Sequence, residues 1–342
     1  MNQPKITHHD STLSRDKTAR WRPLRLVALL SLLLSGLPAQ AADYEFSPSG
    51  QLPIGCSIEL SSPTTTYNCG VLSLEVGDTI AVESTEPVTV IVTGAFTTAE
   101  GNLINNFGNA GDLNLVTTGV LTLGADTILN ANVSSTAAVN MGIGSRIGGN
   151  LTASTVAGIV TLGANSFVGG FIQTDEGAIN VGNGSITGGG VISTGAGVVT
   201  IGANVNIGGG IASVAGAITI NDGSIIGGSV MSTGAGVITM TTNIQIRGNI
   251  NSVAGAITVG SGSAVAGDIT TTGAGVVTLT NVLVGGRVET GAGAITLTDS
   301  RVGGAVFSTG AGVVTITNSV IEDVTYNPPC VIGTVKIGNC KL

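Results

Sequence analysis

The stretch TGAGVVTLTNVLVGGRVETGAGAITLT, residues 272–298, presents nearly the same pattern twice in 27 residues. The shared element is Gly-x-aliphatic-Thr-aliphatic, which begins at Gly275 and again at Gly293. Counting close variants, further copies begin at residues 119, 137, 158, 177, 197, 216, 236, 255 and 312. The steps between copies are 18 to 21 residues, so the chain contains about eleven copies of one unit.

Each copy has the composition of β-strands and a length suited to one coil of a solenoid. The period is too short for helical-pair repeats, and Val, Ile, Thr and Gly dominate it, which favours strands. Successive side chains of a strand point to opposite faces, so we expect Val277 and Leu279 inside and Thr278 outside. Further aliphatics such as Val284 and Val288 follow in each coil, next to a Gly-Gly pair.

This pattern predicts an all-β protein, a single-stranded β-solenoid (β-helix) of about eleven coils with three short sheets per turn. At about 4.8 Å per coil the stack is on the order of 50 Å long. A single coil cannot bury its apolar face alone, which explains the repetition. The sequence also has a longer period of two coils. The residue after the first glycine of the motif alternates between alanine and valine, through Ala178, Val198, Ala217, Val237, Ala256, Val276, Ala294 and Val313. That alternation indicates duplication of a two-coil unit.

Composition supports the same class and indicates the domain boundaries. Hydrophobic residues make up 42% of the chain and charged residues 9%, which fits neither a disordered tail nor an ordinary α/β enzyme. Proline is excluded from sheet interiors, and none occurs between Pro87 and Pro328. Open solenoid ends need covering. We therefore predict an N-terminal cap over residues 42–114, the solenoid over 115–325 and a C-terminal cap over 326–342.

The first 41 residues have the features of a secretory signal peptide. Basic residues precede the apolar run LVALLSLLLSGL, residues 26–37, and the small residues Ala39 and Ala41 follow at a cleavage-site spacing. The run is short for a membrane span, and a retained anchor is the alternative. We expect export to the periplasm, the cell surface or the medium, with no integral membrane segment in the mature chain.

Removal of that segment leaves six Lys and Arg against eighteen Asp and Glu, a net charge near −12 (six minus eighteen). This balance argues against nucleic acid as a partner, because nucleic-acid binding depends on neutralising phosphates.

Four cysteines remain in the exported chain, one pair near each end. We predict two disulfides, Cys56 with Cys69 and Cys330 with Cys340, among the three possible pairings. A four-cysteine zinc site is the alternative, but the pairs lie far apart in sequence and lack CxxC spacing.

Catalytic chemistry has little support in the mature sequence. Both histidines, His8 and His9, leave with the signal peptide, so catalysis would depend on carboxylates, as in glycoside hydrolysis, which needs two acids together. Asp175 with Glu176 and Glu322 with Asp323 are the adjacent acidic pairs in the repeats. We predict a non-enzymatic protein without cofactor or metal, and a carbohydrate-active β-helix enzyme is one alternative.

The exterior of the predicted coils carries one regular feature, a column of threonines. It comprises Thr122, Thr161, Thr200, Thr219, Thr239, Thr258, Thr278, Thr296 and Thr315, with Asn140 and Asn180 in the two gaps. In four coils it doubles to Thr-x-Thr, adding Thr241, Thr280, Thr298 and Thr317. Such ladders resemble the ice-binding face of some antifreeze proteins, although β-branched threonine also suits exposed strands for its own sake. The residues from Thr200 to Thr317 in these two columns are the candidate binding face.

The repeats GAITLTDSRVGGAVFST and GAGVVTLTNVLVGGRVET resemble the coils of filamentous-haemagglutinin-type adhesins and of bactofilin-like polymer-forming proteins. The resemblance covers residues 115–325 and implies a structural or adhesive role at the bacterial cell surface. The partners it implies are a second copy of the chain, a cell-wall polymer or a glycan, and the Thr columns add ice. It carries over no family-specific site residue.

Overall fold

The computed structural model describes residues 41–61, 64–154 and 158–323. These residues form a β-solenoid in which each turn contributes one strand to each of three sheets, numbered here in the order in which a turn passes through them. The only helical element among the described residues is the 3-10 helix η1 (Ala110–Asp112).

Sheet 1 has thirteen strands. They are β4 (Leu72–Leu74), β7 (Phe96–Thr98), β10 (Leu121–Leu123), β13 (Val139–Met141), β16 (Val160–Leu162), β19 (Ile179–Val181), β22 (Val199–Ile201), β25 (Ile218–Ile220), β28 (Ile238–Met240), β31 (Ile257–Val259), β34 (Val277–Thr280), β37 (Ile295–Thr298) and β40 (Val314–Thr317).

Sheet 2 has fourteen strands, most of them two residues long. They are β1 (Asp43–Phe46), β5 (Thr79–Val82), β8 (Leu103–Ile104), β11 (Ile128–Leu129), β14 (Arg146–Ile147), β17 (Phe167–Val168), β20 (Ile186–Thr187), β23 (Asn206–Ile207), β26 (Ile225–Ile226), β29 (Gln245–Ile246), β32 (Ala264–Val265), β35 (Leu283–Val284), β38 (Arg301–Val302) and β41 (Val320–Ile321).

Sheet 3 also has fourteen strands. They are β2 (Cys56–Ser61), β3 (Thr64–Cys69), β6 (Val88–Val92), β9 (Leu113–Thr117), β12 (Asn132–Ser135), β15 (Leu151–Ala153), β18 (Ile172–Thr174), β21 (Val191–Ser193), β24 (Ile211–Ser213), β27 (Val230–Ser232), β30 (Ile250–Ser252), β33 (Ile269–Thr271), β36 (Val288–Thr290) and β39 (Val306–Ser308).

The predicted fold class is confirmed, but the coil number is corrected to about thirteen. The two additional turns enter sheet 1 through β4 and β7. Their sequences depart from the repeat motif, because Ser73 replaces the threonine in one and Thr98 replaces the second aliphatic residue in the other. The stack of coils therefore already includes residues before Gly119.

The interior follows the alternation expected for strands. A typical turn of the solenoid directs inward two aliphatic residues from sheet 1, one from sheet 2 and one from sheet 3; in one turn these are Ile218, Ile220, Ile226 and Val230, all fully buried. Val314 and Ile316 in the last strand of sheet 1 are only partly buried. Apolar burial stabilises at roughly 25 cal/mol per Å², and here it is shared between neighbouring coils.

The corner between sheets 1 and 2 contains a left-handed residue in every turn from Gly101 to Asn318. Asparagine or aspartate alternates with glycine through most of the stack, for example Asn204, Gly223 and Asn243. A Cβ on Gly223 would overlap Oδ1 of Asn204 in the preceding coil, and a Cβ on Gly262 would overlap Oδ1 of Asn243 in the same way. At these two places the amide of one coil leaves no room for a Cβ in the next, whereas Asn281, Asp299 and Asn318 follow one another in the last turns.

Buried serines complete this corner. Ser224 Oγ donates a hydrogen bond to the carbonyl of Gly202 (2.9 Å) and accepts one from the amide of Val205 (3.2 Å), both in the preceding coil. Ser185 makes the equivalent pair of bonds to Gly163 and Ser166. These hydroxyls satisfy backbone groups at a place where the strand ladder is interrupted.

Glycine is required for a different reason at the Gly-Gly corner between sheets 2 and 3. Gly208 does not adopt a left-handed conformation, but a Cβ on it would overlap the carbonyl oxygen of Gly188 one coil below. Close approach of stacked backbones therefore selects glycine here.

The N-terminal end of the stack departs from the parallel pattern. Strands β2 and β3 form an antiparallel hairpin, and β3 continues sheet 3 in parallel with β6. The expected disulfide between Cys56 and Cys69 joins the two strands. Phe46 and Tyr67 pack against each other with ring centroids 4.8 Å apart, and both are buried. Burial raises the pKa of the Tyr67 hydroxyl. The second expected pair, Cys330 with Cys340, lies outside the described residues, as do the predicted C-terminal cap and nearly all of the predicted signal peptide.

We predict that the Cys56→Ser/Cys69→Ser variant loses about 3 kcal/mol of unfolding free energy, because the crosslink restricts the unfolded chain. Denaturant unfolding monitored by circular dichroism measures this loss. Adding reductant to the wild type should reproduce at least that loss. A variant as stable as the oxidised wild type would contradict the prediction.

We predict that Gly223→Ala lowers the unfolding free energy by clearly more than the ~1 kcal/mol expected for a left-handed alanine, because the added Cβ also meets Asn204. The matched control is Gly101→Ala, since Gly101 is also left-handed but has no atom within 4 Å of its would-be Cβ. Equal losses in the two variants would show that the amide contact is unimportant.

Candidate functional site

The predicted threonine column lies on the outer face of sheet 1. Backbone pairing places Thr122, Asn140 and Thr161 in successive register, and the ladder continues through Thr200 and the later members. It also extends beyond the prediction, since Thr97 pairs with Thr122, and Ser73 with Thr97. The hydroxyl and methyl groups therefore recur once per coil, at a spacing of about 4.8 Å.

The second threonine column is continuous over three coils. Thr280 pairs with Thr298, and Thr298 pairs with Thr317. Thr241 is separated from this group by Gly260, whose Cβ would overlap the Thr241 carbonyl oxygen. The double ladder thus comprises Thr278 and Thr280 with the corresponding pairs in the next two coils.

Charge is absent from this face over most of its length. From β7 to β40, the outward positions of sheet 1 in the described chain are occupied by Ala, Val, Ile, Thr, Asn or Gly. The carboxylate of Asp222 lies at the adjacent corner, where it accepts a hydrogen bond from the amide of Thr242 (3.0 Å). Its pKa is lowered, first by the hydroxyl of Thr241 and then by that amide. This carboxylate is therefore hydrogen-bonded at the edge of the face.

The acidic residues considered for catalysis are distributed over other surfaces. Arg287 lies between Asp268 and Glu289, with N to O distances of 3.6 and 3.2 Å. Arg301 pairs with Glu322, its Nε donating to Oε1 at 2.6 Å. Asp175 and Glu176 lie at the corner between sheets 3 and 1, where Asp175 contacts Thr194. Asp268, Glu289 and Glu322 thus form surface ion pairs, and Asp175 makes a turn contact.

A groove near the N-terminal end was not anticipated from the sequence. It has a volume of about 440 Å³ and lies on sheet 2 beside the loop after β8; Asp43, Glu83, Asn106 and Phe107 are among its lining residues. Phe107 is fully exposed. The signal for this loop is the eight-residue interval between β8 and β9, which replaces the short corner of the other coils.

The part of the chain that the structure describes also lacks two common functional features. No cluster of three or more His, Cys, Asp or Glu side chains is arranged to hold a metal ion there. Within the same residues, no helix has the length and apolar character needed to cross a membrane.

The stacked coils and their three parallel sheets place this chain among the β-solenoid repeat proteins. Comparison with protein-family models, curated proteins and solved structures found no match to the chain. The resemblance to adhesin and bactofilin repeats therefore stays a prediction.

Proposed function

We propose that this chain is an exported structural or adhesive protein of the bacterial cell surface, acting without catalysis, whose contact surface is the pair of Thr columns on sheet 1. The observation that carries the proposal is the uninterrupted register of Thr, Asn and Ser along thirteen stacked strands, free of charge from β7 onward.

This surface suits a long, uncharged, repeating ligand such as a cell-wall polymer or a glycan. Each coil presents the same hydroxyl and methyl group, so a linear polymer meets the same weak contact many times. Repeated weak contacts on one rigid support increase avidity without any single strong site. Desolvating threonines is also cheaper than desolvating charged side chains.

Two observations support export. The N-terminal sequence has the features of a signal peptide. The Cys56–Cys69 disulfide belongs to the kind of bond that persists in oxidising compartments.

We predict that Thr219→Lys/Thr258→Lys reduces retention on insoluble cell-wall polymer or polysaccharide by about tenfold or more, because a buried unpaired ammonium costs over 1.4 kcal/mol. Co-sedimentation with the polymer measures retention. The matched control is Gln173→Lys/Ala212→Lys, which adds the same charge to the outer face of sheet 3. Equal retention of the two variants, or no retention of the wild type on any polymer, would reject the Thr columns as the contact surface.

The double Thr ladder favours ice as a second candidate ligand. Three successive coils present Thr-x-Thr in register, which forms a flat array of methyl and hydroxyl groups. The array is about 4.8 Å between coils and roughly 7 Å along each strand.

We predict that, if ice is the ligand, Thr278→Leu/Thr296→Leu abolishes thermal hysteresis while the circular dichroism spectrum stays unchanged. Thr200→Leu/Thr219→Leu is the control, since those coils lack the second threonine. Loss of hysteresis in the control alone, or none in the wild type, would exclude the ladder as an ice-binding site.

A further inference from the structure

A ridge of exposed aliphatic side chains follows the edge of sheet 1 that borders sheet 3. We call it the aliphatic ridge. In every second coil the position before the sheet 1 strand holds a large residue that is 41% to 63% exposed, namely Val71, Val120, Ile159, Val198, Val237, Val276 and Val313. The coils between them hold Ala95, Ala138, Ala178, Ala217, Ala256 and Ala294.

The backbone shows that these residues form one column. The amide of Ile179 donates to the carbonyl of Val198, and the amide of Val199 donates to that of Ala217, with equivalent bonds along the stack. Large and small residues therefore alternate over thirteen coils without a break. Protrusions recur every two coils, about 9.6 Å apart, with a notch midway between them.

Packing inside the chain does not account for this pattern. The large side chains point outward, since the next residue of each coil occupies the interior. The alternation also includes Val71 and Ala95, in coils whose sequences depart from the repeat motif. Duplication of a two-coil unit therefore does not explain why the alternation of large and small residues continues into the coils of Val71 and Ala95.

The ridge also concentrates the exposed apolar surface of the described chain. Nine of its seventeen exposed large hydrophobic residues lie along this edge, including Val214 and Val253 at the neighbouring corner. No charged residue occupies the ridge positions themselves, and Asp175 and Glu176 are the charged pair at the neighbouring corner, whereas the chain as a whole carries a net charge of −8. Two acidic molecules therefore meet little electrostatic repulsion along the ridge away from that pair.

We propose that two copies of this chain pack antiparallel, ridge against ridge, with the large residues of each copy in the alanine notches of the other. A two-fold axis midway between a protrusion and the adjacent notch brings every protrusion opposite a notch. The contact is then isologous and closes at a dimer.

The available area is sufficient for such a pair. A strip about four residues wide, at 3.3 Å per residue, and about 60 Å long covers roughly 800 Å² on each copy. Stable protein interfaces bury about this area per partner. The inference rests on the proposed structural role and names a partner for it; the contact is centred on the edge of sheet 1, beside the Thr columns.

The test is sedimentation velocity of the purified chain over a wide concentration range, without any other ligand. We expect the wild type to dimerise. We expect Ala178→Val/Ala217→Val/Ala256→Val to raise the dimer dissociation constant at least about tenfold (1.4 kcal/mol), although it makes the strip more apolar. Unspecific apolar association would instead become tighter in this variant, and that result would overturn the proposal.

A second pair of variants keeps the test decisive if the valine substitutions impair folding. Val198→Lys/Val237→Lys should abolish the dimer, whereas Ile186→Lys/Met231→Lys should leave it intact, since those control residues are equally exposed on sheets 2 and 3. A wild type that stays monomeric at every concentration, or equal loss in both lysine variants, would overturn the proposal. A monomeric ridge variant that still binds polymer would separate this inference from the proposed function.

Discussion

The structure depends on one constraint, the parallel stacking of strands at about 4.8 Å. Because each coil lies directly over the previous one, equivalent side chains of neighbouring coils lie next to each other. Most inward positions are therefore aliphatic, the last inward position of sheet 3 is a buried serine or threonine in most coils, and outward positions form columns of one chemical kind. The uniform burial of residues such as Ile218 and Ile238 and the threonine column on sheet 1 are two results of the same stacking.

The same spacing explains why the molecule has a period of two coils in addition to the period of one. At some corners the distance between coils is too short for two side chains in succession. Asn204 leaves no room for a Cβ at Gly223 in the next coil, and Asn243 leaves none at Gly262, so glycine follows each of these asparagines. Valine and alanine alternate with the same two-coil period along the aliphatic ridge, where the alternation faces solvent and is available to a partner.

A surface of this kind recognises its ligand by repetition. The Thr columns contain no convergent polar pocket, and their outward positions are nearly identical from coil to coil, which suits partners that are themselves periodic. Surface ion pairs such as that between Arg301 and Glu322 lie away from the Thr columns and contribute little to stability. A periodic polymer is the kind of ligand that such a face can meet over its whole length, whereas the double Thr ladder proposed for ice covers three coils.

The sequence by itself determined the class of fold, the interior residues and the threonine column, because strand alternation and an 18 to 21 residue period are visible within a few neighbouring residues. It also indicated the pairing of Cys56 with Cys69. Only the tertiary structure decided the number of coils, since Ser73 and Thr98 hide two of them from the motif. The asparagine over glycine contacts, the extension of the ridge to Val71 and the groove beside Phe107 also required it. Each of these features depends on which residues of neighbouring coils lie side by side, although they are about twenty residues apart in sequence. That register is set by the stacking of coils and not by the local sequence pattern.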